Sequence, residues 1–363
     1  MNPNKKIRIL QLIDSLEAGG AERMAVNYAN ALYAYTEFGA LVTTRAEGIL
    51  KQQLNGSVYY NFLNRKQLFD FKALFLLRKI VKENEITHIQ AHSSSLFFAV
   101  FLKLICPQII LIWHDHYGAS EMLGKRPVLL LQIASIFVRN ILSVNHNLEA
   151  WALDKLYCKK VCYLPNFTSE SSMVFNETTR LFGASGKRIV CLANLRPQKN
   201  HMMLLQVASI LKNDYPDWTF HLVGKDFHDD YSKEIVEKIA QYQLEDHVFV
   251  YGSRSDIPSI LNQSTIGVLT SISEGLPVAI LEYGFHSLAV VATKVGEVPT
   301  VLNQQEGILI ESNDVLSFCE ALKKIITDEA LRIDLSVKLH SKVISSYSEK
   351  AIITLYTEWI HEK

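Results

Sequence analysis

From Ile266 the chain reads Ile-Gly-Val-Leu-Thr-Ser-Ile-Ser-Glu-Gly-Leu-Pro-Val-Ala-Ile-Leu-Glu, ending at Glu282. The run Ile266 to Thr270 is short, apolar and β-branched, as a buried strand requires. Gly275 allows a tight backbone turn, Pro277 suits a first helical position, and the Val-Ala-Ile-Leu run that follows predicts a buried helix. Strand, loop and helix therefore succeed one another within seventeen residues.

The same pattern recurs outward in both directions. In the first half, Ile7 to Ile13, Leu41 to Thr43, Ile86 to Gln90, Ile109 to Trp113 and Ile141 to Val144 read as strands separated by helical patterns. In the second half the strands are Arg188 to Ala193, Thr219 to Val223, His247 to Tyr251, Ile266 to Thr270, Ala289 to Ala292 and Gly307 to Ile310. Such alternation predicts an α/β protein of two Rossmann-like, doubly wound domains, each a parallel sheet covered on both faces, facing one another across a cleft. Residues 1–165 form the first domain and 166–345 the second. The join falls at Pro165-Asn166, before a Thr-Ser-Glu-Ser-Ser stretch with the composition of a connector. Residues 346–363 carry a final amphipathic helix whose Tyr356 and Trp359 suit docking, with packing back on the first domain as one arrangement.

The chain has 363 residues, 48% of them hydrophobic, which suits two cores and a folded protein. Its five cysteines form no C-x-x-C pair, so neither a disulfide framework nor a zinc site is indicated and the reducing cytoplasm is the expected location. Net charge is zero but unevenly shared. Residues 1–165 hold 19 Lys+Arg against 12 Asp+Glu, which leaves 18 against 25 in the remainder. A basic first half suits an anionic membrane surface or phosphorylated acceptor. No zinc-finger or RNP-type pattern and no basic arm points to nucleic acid. Within 65–82, Arg65, Phe69, Lys72, Leu76 and Lys79 fall on one helical stripe mixing cations with apolar groups, as interfacial helices do. An ordinary crossover helix is the plainer reading. If the stripe docks, the protein sits peripherally on the inner face of the cell membrane.

Ligands of doubly wound sheets bind at the carboxyl ends of strands, so the loops there carry the chemistry. Glu274 and Glu282 are eight positions apart. Eight helical steps would separate them by roughly 12 Å, too far for the ~5–5.5 Å carboxylate pair of a retaining glycosidase. They suit instead the two ends of a sugar diphosphate whose phosphates meet the helix N-terminus. After the first strand come Gly19 and Gly20, whose amides can approach a phosphate, and after the second domain's first strand come Asn194, Arg196 and Lys199 on a Pro-stiffened loop. His114, Asp115 and His116 end a strand. Adjacent strand residues point to opposite faces, so these three are not expected to share a metal ion. The acidic run Asp226 to Asp230 is expected to cap a helix near Tyr231.

In this order the glycine loop Gly19-Gly20-Ala21-Glu22, His114-Asp115, Pro165-Asn166, Arg196 to Lys199 and Glu274 to Glu282 resemble the retaining GT-B glycosyltransferases of family 4, the glycosyl transferases group 1, over essentially the whole chain. The resemblance implies a metal-independent, retaining transfer of a sugar, UDP-linked by expectation, from its nucleoside diphosphate to a glycan or lipid-linked acceptor in cell-surface polysaccharide synthesis. No cofactor or metal is implied. It assigns Glu274 to donor-sugar hydroxyls, the amides of Gly275 and Leu276 to phosphates, Glu282 to ribose, Lys199 to the diphosphate, Ser253 or Arg254 to the base, and His114 to the sugar or acceptor. Two departures stand out: Asn194 where the family usually has an arginine, with Arg196 as its substitute, and Phe167 where glycine is common after Pro-Asn. A nucleotide-sugar 2-epimerase and a non-catalytic sugar-binding homologue share the architecture.

Overall fold

The computed structural model describes residues 7–118, 123–168 and 178–361, and it divides into two compact units. The first comprises Met1–Ser169 together with Glu349–Lys363, and the second Glu170–Ser348. Of the connector stretch 168–172, all but Thr168 lies outside the described residues.

The first unit is a seven-stranded parallel sheet in the order β3-β2-β1-β4-β5-β6-β7. Its strands are β1 (Arg8–Ile13), β2 (Phe38–Thr43), β3 (Tyr59–Phe62), β4 (His88–His92), β5 (Ile110–Asp115), β6 (Asn140–Ser143) and β7 (Val161–Tyr163). Helices α1 (Gly20–Leu32), α2 (Phe71–Glu83), α3 (Ser95–Ile105), α4 (Leu129–Ser135) and α5 (His146–Lys155) connect them. The short edge strands β3 and β7, four and three residues long and half-buried, are not evident in the sequence.

Alternation of side chains splits each central strand between two layers. Leu10, Leu12, Ile89, Ala91, Leu111 and Trp113 face a core shared with α2 and α3. On the other face Gln11, Gln90, His92 and His114 are aligned by register, with Gln11 opposite Gln90 and His92 opposite His114. That polar row is fully buried beneath Tyr28 of α1 and Tyr356 of the last helix, Glu349–His361. The last helix is anchored at its start by the Glu349 amide on the Thr168 carbonyl, and Phe167 is buried edge-on against Tyr28. Phe167 thus fills the core as an aromatic wedge, a use glycine could not serve.

The expected stripe beginning at Arg65 requires correction. Asp70 caps α2 by accepting from the Ala73 amide, so the helix starts after Arg65. Arg65 is buried, with Nη2 3.1 Å from Asp14 Oδ1 and its guanidinium over the Phe98 ring. Phe71, Lys72, Phe75, Leu76, Lys79 and Lys82 form the exposed face of α2, while Ala73, Leu74, Leu77, Ile80 and Val81 are buried.

The second unit is a six-stranded parallel sheet in the order β10-β9-β8-β11-β12-β13. It contains β8 (Arg188–Leu192), β9 (Thr219–Val223), β10 (Val248–Gly252), β11 (Ile266–Leu269), β12 (Ala289–Thr293) and β13 (Ile308–Ile310). Its helices are α6 (His201–Asp214), α7 (Asp230–Gln241), α8 (Ile257–Asn262), α9 (Val278–Phe285), α10 (Val298–Val301), α11 (Val315–Thr327) and α12 (Glu329–Ser346), and the helix of the first unit at Glu349–His361 is α13. Asp229 caps α7 through the Ser232 amide. Strand residues alternate between a core with α6 and α11 and a second core with α9 and α12, which is why β12 is buried throughout.

Candidate active site

In each sheet the chain reverses its direction of strand addition beside the first strand. In the second unit this switch point lies between β8 and β11, where the loops leaving two neighbouring strands part in opposite directions and leave a crevice. The two strands pair only at Ile266 with Ile189 and Gly267 with Val190. Beyond that they splay, and the Tyr283 hydroxyl of α9 fills the gap: it accepts from the Leu192 amide at 2.7 Å and donates to the Val268 carbonyl at 3.2 Å. Gly267 makes room, since a Cβ there would lie 2.5 Å from the Tyr283 ring. Helix α9, and with it Glu282, is thereby tied to both strands.

The loops after β8 and β11 are laced together. The Ile272 amide donates to the Gln198 carbonyl at 2.9 Å, the Gln198 side-chain amide to the Ser273 carbonyl at 2.7 Å, and the Thr270 hydroxyl to the Lys199 carbonyl at 3.0 Å. At their junction Lys199 Nζ lies 2.5 Å from Glu274 Oε1, and the Ser271 hydroxyl donates to the same oxygen at 2.6 Å. Glu274 is buried and Lys199 is partly open to solvent. An oriented carboxylate beside a cation that can reach outward is equipped to hold sugar hydroxyls and to neutralise phosphate charge.

Gly296 braces the Glu274 loop from behind. Its φ is +53°, and a Cβ would stand 1.8 Å from the Glu274 carbonyl oxygen, so only glycine fits. The Glu297 amide completes the contact by donating to the Gly275 carbonyl at 3.1 Å. Pro277 is the residue before the helix, with extended backbone, and helical geometry begins at Val278, one position later than expected. Gly275 and Leu276 are buried in that approach, and Glu282 is half-buried about one turn into α9.

Other residues of the second unit serve the loop in different ways. Asn194 Oδ1 accepts from the Lys225 amide at 2.8 Å, a backbone-bracing role for which an arginine has no acceptor. The exposed Arg196 guanidinium stacks 4.5 Å above the Phe227 ring, which fixes a cation on the same loop as Lys199. Ser253 and Arg254 follow β10, two strands from β8 in the sheet order, and Arg254 Nη1 donates to the Ser253 carbonyl at 3.0 Å.

In the first unit, Gly19 is the extended residue ahead of α1 and Gly20 its first residue. The Glu22 carboxylate folds back over Gly19, so the helix start already carries an acidic partner. At the carboxyl ends of β4 and β5, next to the switch point between β1 and β4, lies a histidine cluster. His114 and His116 are two residues apart and share a face, and His92 on the neighbouring strand joins them; one ligand nitrogen from each falls within 4.8 Å of the others. The trio expected to diverge was His114, Asp115 and His116, and Asp115 does turn away, into a buried two-pronged pair with Arg126 at 2.7 and 2.9 Å. The convergent third group, His92, has no signal in the sequence, because its proximity depends on strand register.

His114 Nδ1 is 3.0 Å from Gln90 Nε2, and Gln90 Oε1 accepts from the Tyr356 hydroxyl at 2.8 Å. His92 Nε2 meets Gln11 Oε1 at 2.8 Å and its Nδ1 meets His116 Nε2 at 3.0 Å. His114 Nε2 is buried with no partner among the described residues. Burial holds His92 and His114 well below the usual imidazole range, reinforced by the neighbouring rings, and holds His116 down to about 3. All three are neutral at physiological pH.

Residues 180–340 match the family model described as Glycosyl transferases group 1. The chain carries a group 1 glycosyltransferase domain. Among curated relatives of this glycosyltransferase, the Escherichia coli UDP-Gal:alpha-D-GlcNAc-diphosphoundecaprenol alpha-1,3-galactosyltransferase is 25% identical, with 94% of this chain and 93% of the relative covered. A Campylobacter jejuni GalNAc-alpha-(1->4)-GalNAc-alpha-(1->3)-diNAcBac-PP-undecaprenol alpha-1,4-N-acetyl-D-galactosaminyltransferase is 22% identical, covering 91% of each chain. Among solved structures, Anabaena Alr3699/HepE in complex with UDP and glucose superposes with TM-score 0.80 at 18% identity, over 98% of this chain and 100% of that one. The fold is GT-B, two parallel-sheet α/β domains, and the chain is an enzyme of the glycosyltransferase type.

Proposed function

We propose that this glycosyltransferase moves a sugar from a UDP-sugar to a lipid-linked glycan acceptor in surface polysaccharide synthesis, with retention of anomeric configuration and without a divalent ion at the diphosphate. The observation that carries the reading is the Lys199–Glu274 pair at the sheet's switch point, set ahead of the α9 N-terminus. Relatives named for UDP-galactose and for undecaprenol-linked acceptors, and a fold neighbour solved with UDP, support the donor and acceptor classes.

Glu274 orients the donor sugar through its hydroxyls, Glu282 accepts from the ribose, and the amides of Gly275 and Leu276 meet the phosphates. The bond between the anomeric carbon and the β-phosphate oxygen breaks as the acceptor oxygen bonds to the same face of that carbon, and the acceptor's proton passes to the departing phosphate oxygen. Lys199, with Arg196 in support, stabilises the charge that develops there. Ser253 and Arg254 stand by the base, and His114 meets the sugar or the acceptor.

The exposed α2 face, where Phe71, Phe75 and Leu76 accompany Lys72, Lys79 and Lys82, suits an anionic membrane surface and would bring the enzyme to a lipid-linked acceptor. Among the described residues no helix is long and apolar enough to cross a membrane. Incubation of the protein with UDP-sugars and a polyprenyl-diphosphate-linked sugar, in chelator, tests the reading: it expects an elongated lipid product whose new linkage keeps the donor's anomeric configuration.

A further inference from the structure

Three neutral imidazoles within 4.8 Å invite two readings, a metal site or a hydrogen-bonding array, and the direction of the buried hydrogen bonds chooses between them. The Tyr356 hydroxyl is fully buried, and burial pushes its pKa far up, so it stays protonated. Its one described acceptor is Gln90 Oε1. A buried O–H without an acceptor is costly, so the Gln90 amide is held with its oxygen toward Tyr356. Gln90 then presents Nε2, which only donates, to His114 Nδ1. A neutral imidazole that accepts at Nδ1 carries its proton on Nε2. That N–H is the buried atom with no partner among the described residues.

We infer that Tyr356 and Gln90 are positioning residues that lock His114 as its Nε2–H tautomer, making it a hydrogen-bond donor aimed at a ligand oxygen and barring it from acting as a base. The inference deepens the proposed transfer reaction, on which it rests for what the ligand is: an oxygen of the sugar, acceptor or phosphate. The last helix of the chain, α13, thereby sets the chemical state of a residue 242 positions away, His114 from Tyr356. An ion would instead require a lone pair on His114 Nε2.

The test is long-range proton–nitrogen NMR on the full chain with 15N-labelled histidine, His114 being assigned by its loss in His114→Gln. Wild type is expected to show a protonated Nε2 and a bare Nδ1. Tyr356→Phe frees the amide to turn over and should give a mixture, and Gln90→Glu should move the proton to Nδ1 and lower kcat about a hundredfold, the scale of losing one aimed donor. Thermal melts check that both variants fold. A wild-type His114 protonated on Nδ1, an unchanged tautomer in Tyr356→Phe, or one equivalent of zinc in wild type that His92→Ala removes would each overturn the inference. Unchanged transfer by His114→Ala with the expected spectra would instead overturn only the placement of substrate at His114.

Discussion

Lys199 Nζ and Glu274 Oε1 stand 2.5 Å apart and join two loops that leave neighbouring strands, β8 and β11. The pair couples a buried carboxylate to a partly exposed cation. Lys199→Ala should lower kcat about a hundredfold or more, since a charge-stabilising donor is lost. It should also cost roughly 1–3 kcal/mol of stability by leaving Glu274 with one polar partner fewer in a buried setting. Adding Glu274→Gln to Lys199→Ala should recover much of the stability and none of the rate; steady-state kinetics and urea melts check both.

Gly296→Ala should damage donor binding from outside the ligand's reach. The new methyl would collide with the Glu274 carbonyl in a left-handed backbone conformation, so the Glu274 loop must shift. Strain of this kind costs about 1–3 kcal/mol. Calorimetric titration with UDP should show weakened binding, while Gly56→Ala, at a glycine with nothing near its would-be Cβ, should bind normally.

Acid should destabilise the second unit before it reaches the usual carboxylate range. Burial lowers His201 to about 4 and His221 to about 3, and both are neutral in the fold. Unfolded histidine takes up its proton near pH 6.5, so the unfolded state binds more protons than the native state below that pH. The stability these residues contribute is complete above pH 6.5 and is lost as pH falls toward 4 and 3, by an amount on the order of a few kcal/mol. Urea midpoints between pH 7 and 4.5 should fall, with a shallower slope in His221→Gln.

Charge reversal on α2 should release the protein from anionic vesicles. Lys72 and Lys79 are exposed beside Phe71, Phe75 and Leu76. Each cation near such a surface contributes about 1 kcal/mol, so Lys72→Glu with Lys79→Glu should weaken sedimentation with phosphatidylglycerol vesicles tenfold or more. Unchanged binding would remove α2 from that role.

Much of this architecture is legible in sequence because buried parallel strands are rich in apolar and β-branched residues, and eleven of the thirteen strands among the described residues fall in such stretches. The edge strands at Tyr59–Phe62 and Val161–Tyr163 are half-buried and escape that signal. Lys199 and Glu274 are recognisable from their loops, but Ser271, which completes the Glu274 environment, and Gly296, which supports it, are visible only once the loops are folded together. Arg65 reads as part of a surface stripe until the Asp70 cap ends the helix short of it and Asp14 takes it inside. His92 and Gln90 are silent in sequence and Tyr356 reads only as a docking residue, because register and a returning helix, not spacing, assemble them.

Metal-independent transfer with Lys199 at the leaving group is tested by UDP release and lipid product formation from a UDP-sugar and a polyprenyl-diphosphate-linked acceptor in EDTA, for wild type and Lys199→Ala. UDP and elongated lipid should form in equal amounts, undiminished by chelation and reduced about a hundredfold in the variant. UDP release abolished by EDTA, or a Lys199→Ala enzyme as fast as wild type, would contradict it.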